Sequence, residues 1–105
     1  MAQFDVYRNR NARTRRHFPL LLDIQSDLLD QMDTRVVIPM MELGKPLKRS
    51  MRHLTPEVLF RGTRYRLMTP QLAGVSRPDL GEITGSLAEE RPAIIAAIDF
   101  LITGI

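Results

Sequence analysis

Four closely spaced aspartates and two histidines are the side chains of this sequence whose chemistry could move protons or bind a metal. The aspartates are Asp23, Asp27, Asp30 and Asp33. Paired carboxylates can act as general acid and base, but this spacing crosses a predicted strand end and a turn, where aspartate commonly caps the backbone. His17 and His53 have no further ligands at metal-binding spacing, and the sequence contains no cysteine. We therefore expect no catalytic residues, no metal and no cofactor, and a function in binding.

Basic side chains concentrate in two clusters that suit an acidic partner, either a phosphate backbone or a carboxylate-rich peptide. The first cluster, beside His17, consists of Arg8, Arg10, Arg13, Arg15 and Arg16. The second, beside His53, consists of Lys45, Lys48, Arg49 and Arg52. Together they hold nine of the 15 Lys and Arg residues, although the formal net charge is only +3. Two solvated loops would give the same pattern, so charge alone leaves both interpretations open.

The end of the chain is apolar, whereas chain termini usually favour polar residues and fray. A helix face is predicted from the spacing of Ile94, Ile95, Ile98, Leu101, Ile102 and Ile105. Gly104 is the predicted helix stop, because glycine readily takes a positive φ, and Ile105 then forms a short hook beyond it. We expect this end to be docked inside the fold, in a subunit interface or on a partner protein.

Length and composition are those of an ordinary globular domain. The 105 residues are 44% hydrophobic and 26% charged, which predicts a single domain over residues 1–105 with its own core. The apolar runs are too short to span a bilayer. Asp5 and Arg8 stand where a signal peptide would need its apolar segment. We expect a cytoplasmic protein that has no membrane contact.

Local patterns predict the elements that must position these residues. Residues 3–7 and 18–24 alternate as strands do, and the arginine-rich segment between them predicts a loop. Val36–Ile38 is typical of a central strand that Pro39 would close. Residues 58–67 predict a hairpin that turns at Arg61-Gly62, with Arg64 and Arg66 facing solvent.

The second half of the chain is predicted to add short strands and the helix. Residues 70–85 are rich in Gly and Pro and predict short strands only, one of them near residues 72–75. Ser86 and Glu89 fit a capping box, and Pro92 fits the first helical turn or a slightly later start. The order of elements predicts a small β-rich barrel or sheet with one C-terminal helix.

Five segments, in this order and at similar spacing, resemble one known family. They are Gln3–Tyr7, Asp23–Asp27, Val36–Pro39, Arg66–Thr69 and Gly104–Ile105. The chain resembles the CcdB family, the toxins of CcdA/CcdB-type toxin–antitoxin systems, over nearly its whole length. The resemblance implies a mainly β fold, an SH3-like antiparallel β-barrel with a small inserted sheet and one C-terminal α-helix. It also implies a two-fold homodimer.

The resemblance implies a toxin that is not itself an enzyme. Such toxins bind the DNA gyrase A subunit, trapping gyrase with its DNA cleaved. The matching gyrase-binding positions are Gln3, Phe4, Tyr7, Ser26, Leu28, Leu29, Asp99, Thr103, Gly104 and Ile105. Leu28 and Leu29 support this assignment because exposed aliphatic pairs often mark an interface. The alternative is that the turn folds back onto the barrel and buries both leucines.

The resemblance further implies an antitoxin whose acidic, disordered segment folds on the toxin. The basic residues Arg10, Arg13 and Arg15 are the candidates for that contact. The antitoxin binds operator DNA, so the toxin reaches DNA only indirectly, as a corepressor.

The sequence departs from the family pattern at the helix end. The best-known family members carry Trp where this chain has Thr103, and the family pattern has an amide where this chain has Asp99. An indole can stack on a partner arginine, and Trp is a frequent interface hot spot. Two alternatives therefore stay open. One is a degenerate relative without toxicity; the other is a fold-related endoribonuclease of the MazF or Kid type, using Arg8, Arg10 and Asp23.

Overall fold

The computed structural model describes residues 2–43 and 52–104, in which a curled antiparallel sheet is covered by one helix. The strands and helix are β1 (Asp5–Asn9), β2 (Leu20–Asp23), β3 (Thr34–Glu42), β4 (Glu57–Phe60), β5 (Thr63–Leu67), β6 (Ala73–Ser76), β7 (Leu80–Ser86) and α1 (Arg91–Thr103). The expected mainly β fold with one C-terminal helix is confirmed, and the curled antiparallel sheet forms a half-barrel. Lys45, Lys48 and Arg49 of the second basic cluster, and Ile105, lie outside the described residues.

The long strand β3 lies at the centre of the sheet, between β2 on one edge and β5 and β6 on the other. The strand order is β4-β5-β3-β2-β1-β7, and β6 also pairs with β3. One edge of β3 pairs along residues 37–40 with β2. Its other edge pairs first with β6, over residues 34–37, and then with β5, over residues 40–42. The hairpin of β4 and β5 is therefore continuous with the barrel sheet.

The prediction that Pro39 closes β3 is wrong, since the strand continues to Glu42. The Pro39 carbonyl accepts a hydrogen bond from the Met68 N–H at 2.9 Å, on the edge that β5 and β6 share. The missing N–H of a proline in a strand faces the same side as its carbonyl. On that side, Pro39 lies between the residues of β3 that pair with β6 and those that pair with β5. No hydrogen bond between strands is therefore lost.

The hairpin prediction is confirmed for its turn and corrected for one side chain. Phe60 pairs with Thr63 across the two-residue turn, where Arg61 and Gly62 have φ values of 51° and 83°. Positive φ at both positions matches the twist of the flanking strands. Arg66, however, is buried rather than exposed, because its guanidinium meets Glu57 of the neighbouring strand at 3.0 Å.

The first strand begins two residues later than predicted. Phe4 has a positive φ of 71°, so it precedes β1 and turns the chain instead of extending it. Its N–H donates to the Asp23 carbonyl at 2.6 Å, and its carbonyl accepts from the Leu87 N–H at 2.8 Å. Phe4 thereby ties β2 to the segment that enters α1.

The main core lies between α1 and the face of the sheet that it covers. Its buried side chains are Phe4, Val6, Leu20, Leu22, Ile38, Met40, Val58, Phe60, Leu67, Leu87 and Ile94. Ile95 and Ile98 of the predicted helix stripe also contact this core. The stripe does not stay buried to its end, since Ile102 is 72% exposed. The helix ends at Gly104, whose φ of 75° confirms the predicted stop.

The two ends of the sheet approach each other at Gly85 of β7. A Cβ atom on Gly85 would lie 2.8 Å from the Phe60 ring, closer than side chains pack. Next to it, the Arg61 guanidinium donates to the Thr84 carbonyl at 2.8 Å. The small size of residue 85 therefore allows the half-barrel to curl this far.

Gly85→Ala is expected to destabilise the protein by about 1 to 3 kcal/mol, because the added methyl overlaps a ring that is itself packed in the core. Gly74→Ala is the matched control, since nothing lies within 4 Å of a Cβ there. That variant should stay within about 0.5 kcal/mol of the parent protein. Urea unfolding measures both, and equal stabilities would contradict this role for Gly85.

Candidate functional site

The loop between β2 and β3 presents apolar side chains to solvent. Leu28 is 95% exposed, the highest value of any large hydrophobic residue in the described part of the chain. Leu29 and Met32 are about half exposed. The alternative in which this turn folds back onto the barrel is therefore excluded. Three exposed apolar side chains on one short loop are typical of an interaction surface.

The tip of this loop is shaped by local side-chain hydrogen bonds. Asp27–Leu29 forms one turn of 3-10 helix, and the Ser26 hydroxyl accepts from the Leu28 N–H at 3.2 Å. The buried Gln25 side chain donates to the Leu29 carbonyl at 2.9 Å and accepts from the Val36 N–H at 3.0 Å. Gln25 thus joins the loop to β3 through both ends of its amide.

A fully buried ion pair lies beneath the loop. Nε and Nη2 of Arg35 both lie 2.8 Å from Oδ2 of Asp23, and neither side chain has exposed surface. The other oxygen of Asp23 accepts from the Gln25 N–H at 3.0 Å. Burial raises the pKa of Asp23 above its ordinary value, while the hydrogen bonds from Arg35 and Gln25 act in the opposite direction.

The far side of the loop is held by Asp30 and Arg77. Arg35 Nη1 donates to the Asp30 carboxylate at 3.2 Å. Arg77 donates to the Met32 carbonyl at 3.0 Å and also to the Asp30 carbonyl. Asp23, Asp27 and Asp30 accordingly have structural partners, as expected from their spacing.

Gln3 lies beside the loop and connects it to the start of α1. Its N–H donates to Asp27 at 2.7 Å, and its side-chain amide donates to the Ile24 carbonyl at 3.1 Å. Its side-chain oxygen accepts from Arg91 at 3.3 Å. The Arg91 guanidinium also lies over the Phe4 ring, 5.5 Å from its centroid.

The remaining predicted gyrase-binding residues are placed differently. Phe4 and Tyr7 are buried, so their side chains leave little surface for direct contact with a partner. Asp99, Thr103 and Gly104 are exposed in the last turn of α1, where the Thr103 hydroxyl donates to the Asp99 carbonyl at 2.6 Å. This turn lies about 18 Å along the helix from Arg91. The structure therefore brings Gln3, Ser26, Leu28 and Leu29 together and places the helix end in a second patch with Ile102.

The predicted antitoxin-binding arginines lie on an ordered loop. Arg10, Arg13 and Arg15 are exposed between β1 and β2. The buried Asn9 holds this loop: its amide nitrogen donates to Thr14 at 2.9 Å and to the Phe18 carbonyl at 2.8 Å. The loop therefore presents its charges on a fixed backbone.

The residues of the endoribonuclease alternative do not form a common site. Arg8 pairs with Glu82 at 2.8 Å on the exposed side of β1 and β7. Asp23 is enclosed with Arg35. Arg8 is paired in register with Leu20, which lies about 10 Å along β2 from Asp23.

Comparison with known proteins gives the family. A family model described as CcdB protein matches residues 3–104. The chain belongs to the CcdB family. By its family, it is the toxin of a toxin–antitoxin system, and an antitoxin is its partner.

Solved structures similar to this CcdB-family chain show how widely its fold is shared. The Mycobacterium tuberculosis toxin MazF-mt6 superposes with a TM-score of 0.72 at 15% identity, over 92% of this chain and 94% of that one. An Mtb toxin superposes with a TM-score of 0.65 at 17% identity, over 82% of this chain and 97% of that one. At these identities, the likeness concerns the fold alone.

Two further observations describe this CcdB-family chain. Within residues 2–43 and 52–104, no three acidic or histidine side chains are grouped so that they could hold a metal ion. In the same ranges, no helix is long and apolar enough to cross a membrane.

The sequence analysis did not identify the residues that hold the loop between β2 and β3 of this CcdB-family toxin. Arg35 and Arg77 look like ordinary surface arginines in the sequence, and Gln25 carries no pattern of its own. The one signal in the sequence is the run of aspartates, since several carboxylates near one another require cationic or N–H partners. That signal does not say which arginines supply them.

Replacing Arg35 with Met is expected to destabilise the protein by about 3 to 5 kcal/mol, because the buried Asp23 carboxylate loses its cation. The double variant Arg35→Met with Asp23→Leu should recover much of that loss, since it leaves no buried charge unpaired. Arg64→Met, at an exposed position of β5, is the control and should change stability by less than about 0.5 kcal/mol. Chemical denaturation of the three variants provides the measurement, and a harmless Arg35→Met would refute this role for the pair.

Tyr7 gives the protein an alkaline-sensitive stability. Burial, with the nearby carboxylates of Asp23 and Asp5, raises the pKa of Tyr7 to about 12 from an ordinary 10.0. The native state therefore favours the neutral phenol. The resulting contribution to the free energy of unfolding is fully present below pH 10 and is lost as the pH rises towards 12. Two pKa units correspond to about 2 to 3 kcal/mol.

Tyr7→Phe is expected to remove that pH dependence. The Tyr7 hydroxyl finds no hydrogen-bond partner among the described residues, so Phe should be as stable as Tyr at pH 7, or more stable by about 1 kcal/mol. Unfolding curves of both proteins between pH 8 and pH 12 test this, since only the Tyr7 protein should lose the additional stability. Parallel losses in both proteins would show that other groups cause the alkaline effect.

Proposed function

We propose that this toxin binds the DNA gyrase A subunit, traps gyrase with its DNA cleaved, and is neutralised by its cognate antitoxin. The observation that supports this most is the almost complete exposure of Leu28 on a loop fixed by buried hydrogen bonds. An apolar side chain that has no core role and is held in a defined position suits recognition of another protein. We place this action in the cytoplasm, where gyrase works.

The proposed gyrase surface has two parts. The first consists of Gln3, Ser26, Leu28 and Leu29; Phe4 and Tyr7, which the resemblance also includes, are buried. The second consists of Asp99, Thr103 and Gly104 at the end of the helix, together with Ile105, which follows Gly104 in the sequence. Since Thr103 offers no aromatic face, we propose that the leucines supply more of the binding energy here than the helix end does. Asp99, which is exposed, can pair with a basic group of the partner.

We also propose a homodimer. Ile102 is largely exposed and Phe100 lies at the exposed edge of α1, so the helix end leaves apolar surface that this monomer does not cover. A two-fold contact between helix ends would bury it twice.

We propose that the antitoxin meets the exposed arginines Arg10, Arg13 and Arg15. Guanidinium groups pair well with carboxylates, and several exposed cations on one loop make the contact sensitive to salt. The toxin would then reach operator DNA only through the antitoxin. An endoribonuclease activity is not proposed, because Arg8 and Asp23 are held in separate ion pairs.

Leu28→Ser tests the proposed gyrase contact, with Leu59→Ser as the matched control. Leu59 is also largely exposed, at 65%, but lies on β4 away from the loop. Truncating an interface anchor should weaken gyrase poisoning at least about tenfold, whereas the control should poison like the parent protein. Both variants should unfold at the parent temperature.

Purified toxin is incubated with gyrase, ATP and supercoiled plasmid, and the linear DNA released by denaturant treatment is measured. Light scattering gives the mass of the toxin. A dimer has twice the 12.0 kDa chain mass. Equal poisoning by both variants would remove the loop from the contact. An absence of poisoning by the parent protein would refute gyrase as the target, and RNA cleavage in a parallel reaction would favour the endoribonuclease instead.

A further inference from the structure

Arg91, the first residue of α1, holds a positive charge beside the loop between β2 and β3. Its guanidinium lies over the Phe4 ring, 5.5 Å from the centroid, and its Nη1 donates to the side-chain oxygen of Gln3 at 3.3 Å. A guanidinium stacked on an aromatic face and held by a hydrogen bond keeps less freedom than one in open solvent. Arg91 is nevertheless exposed. The protein therefore presents a cation in a defined position.

Gln3 connects this cation to the tip of the loop. The Gln3 N–H donates to Asp27 at 2.7 Å, its side-chain amide donates to the Ile24 carbonyl at 3.1 Å, and its side-chain oxygen accepts from Arg91. Asp27 directly precedes Leu28, which is almost fully exposed. Interfaces of ordinary size cover about 800 Å² on each partner. A partner that covers Leu28 and Gln3 therefore also covers Arg91.

The charge of Arg91 is not neutralised within the described part of the protein. Among the ion pairs of residues 2–43 and 52–104, none includes Arg91. Its position is also electrostatically unfavourable, because the N-terminus is the positive end of a helix dipole. The hydrogen bond to Gln3 uses one of the five N–H groups of the guanidinium. Arg91 thus keeps donors for an acceptor on a partner.

We propose that Arg91 is a further gyrase-binding residue and that it pairs with a carboxylate of the gyrase A subunit. Arginine stays charged in proteins, so an interface that covered it without an acceptor would bury an unpaired charge, which is costly. A carboxylate matches the fork of N–H groups with two oxygens. The pair selects an acidic partner surface next to the apolar contact of Leu28. This inference rests on the proposed function, in which the loop binds gyrase.

A purely structural role for Arg91 is the alternative. In that role the guanidinium only covers the Phe4 ring and orients the Gln3 side chain, so binding of a partner would not depend on the charge at residue 91. An ion pair with the partner, in contrast, depends on the sign of that charge and is weakened by salt. The two roles can therefore be separated by charge and salt.

Arg91→Glu is the decisive variant, and Arg64→Glu is its control. Both replace an exposed arginine with glutamate and so change the net charge equally, but Arg64 lies on β5, away from the loop. Binding of the full-length toxin to purified gyrase A subunit should weaken at least about tenfold in Arg91→Glu. The control should bind like the parent protein. Unchanged binding by Arg91→Glu, or equal losses in both variants, would refute the role of Arg91.

Arg91→Gln and Arg91→Lys separate the charge from the shape of the side chain, and thermal unfolding of each variant shows that it is folded. The affinity of Arg91→Gln for the gyrase A subunit should fall less steeply with salt than that of the parent protein, because one ion pair is missing. Arg91→Lys keeps the charge without the planar group, so it should bind more tightly than Arg91→Gln. Equal binding by these two variants, or an unchanged salt dependence in Arg91→Gln, would overturn the pairing with a carboxylate.

Leu28→Ser in the same binding assay separates this inference from the proposed function. No binding of the gyrase A subunit by the parent protein would refute the target and, with it, the role of Arg91. Weakened binding by Leu28→Ser together with unchanged binding by Arg91→Glu would leave the target standing and refute the role of Arg91 alone.

Discussion

Burial of the Arg35 guanidinium is the constraint on which the rest of the loop between β2 and β3 depends. An arginine cannot be neutralised inside a protein, so its donors must all meet acceptors. Asp23 from β2, Asp30 from the loop and the Gln25 carbonyl supply them. Meeting this requirement fixes the path of the chain from β2 to β3. The leucines at the loop tip are held in position as a consequence.

The two faces of the sheet have different tasks. One face and α1 enclose the main core, which gives the protein its stability. The other face buries a small apolar cluster of Tyr7, Leu21, Val37 and Leu80, beside an open cavity of about 340 Å³. A fold shared with MazF-mt6 at 15% identity does not specify which face is used or for what. The function has to be argued from the exposed side chains.

Local patterns in the sequence predict the elements that depend on neighbours in the chain. The hairpin turn at Arg61-Gly62 and the helix stop at Gly104 follow from backbone preferences of a few residues, and both are confirmed. The prediction of a solvent-facing Arg66 is wrong because its partner, Glu57, lies on another strand. The prediction that Pro39 ends β3 is wrong because Pro39 lies in the gap between the part of β3 that pairs with β6 and the part that pairs with β5. That gap is formed only when the sheet folds. Of the candidate site, the exposed leucines could be predicted, but their supporting arginines could not.

The supports of the loop lie behind its tip rather than within it. Gln25, Arg35 and Arg77 donate hydrogen bonds to backbone carbonyls of this segment, whereas the Leu28 side chain contributes almost nothing to the fold. Stability and recognition are thus encoded at different positions. Substitutions at the tip are free to accumulate under selection for a new or altered target, because they leave the folded state intact.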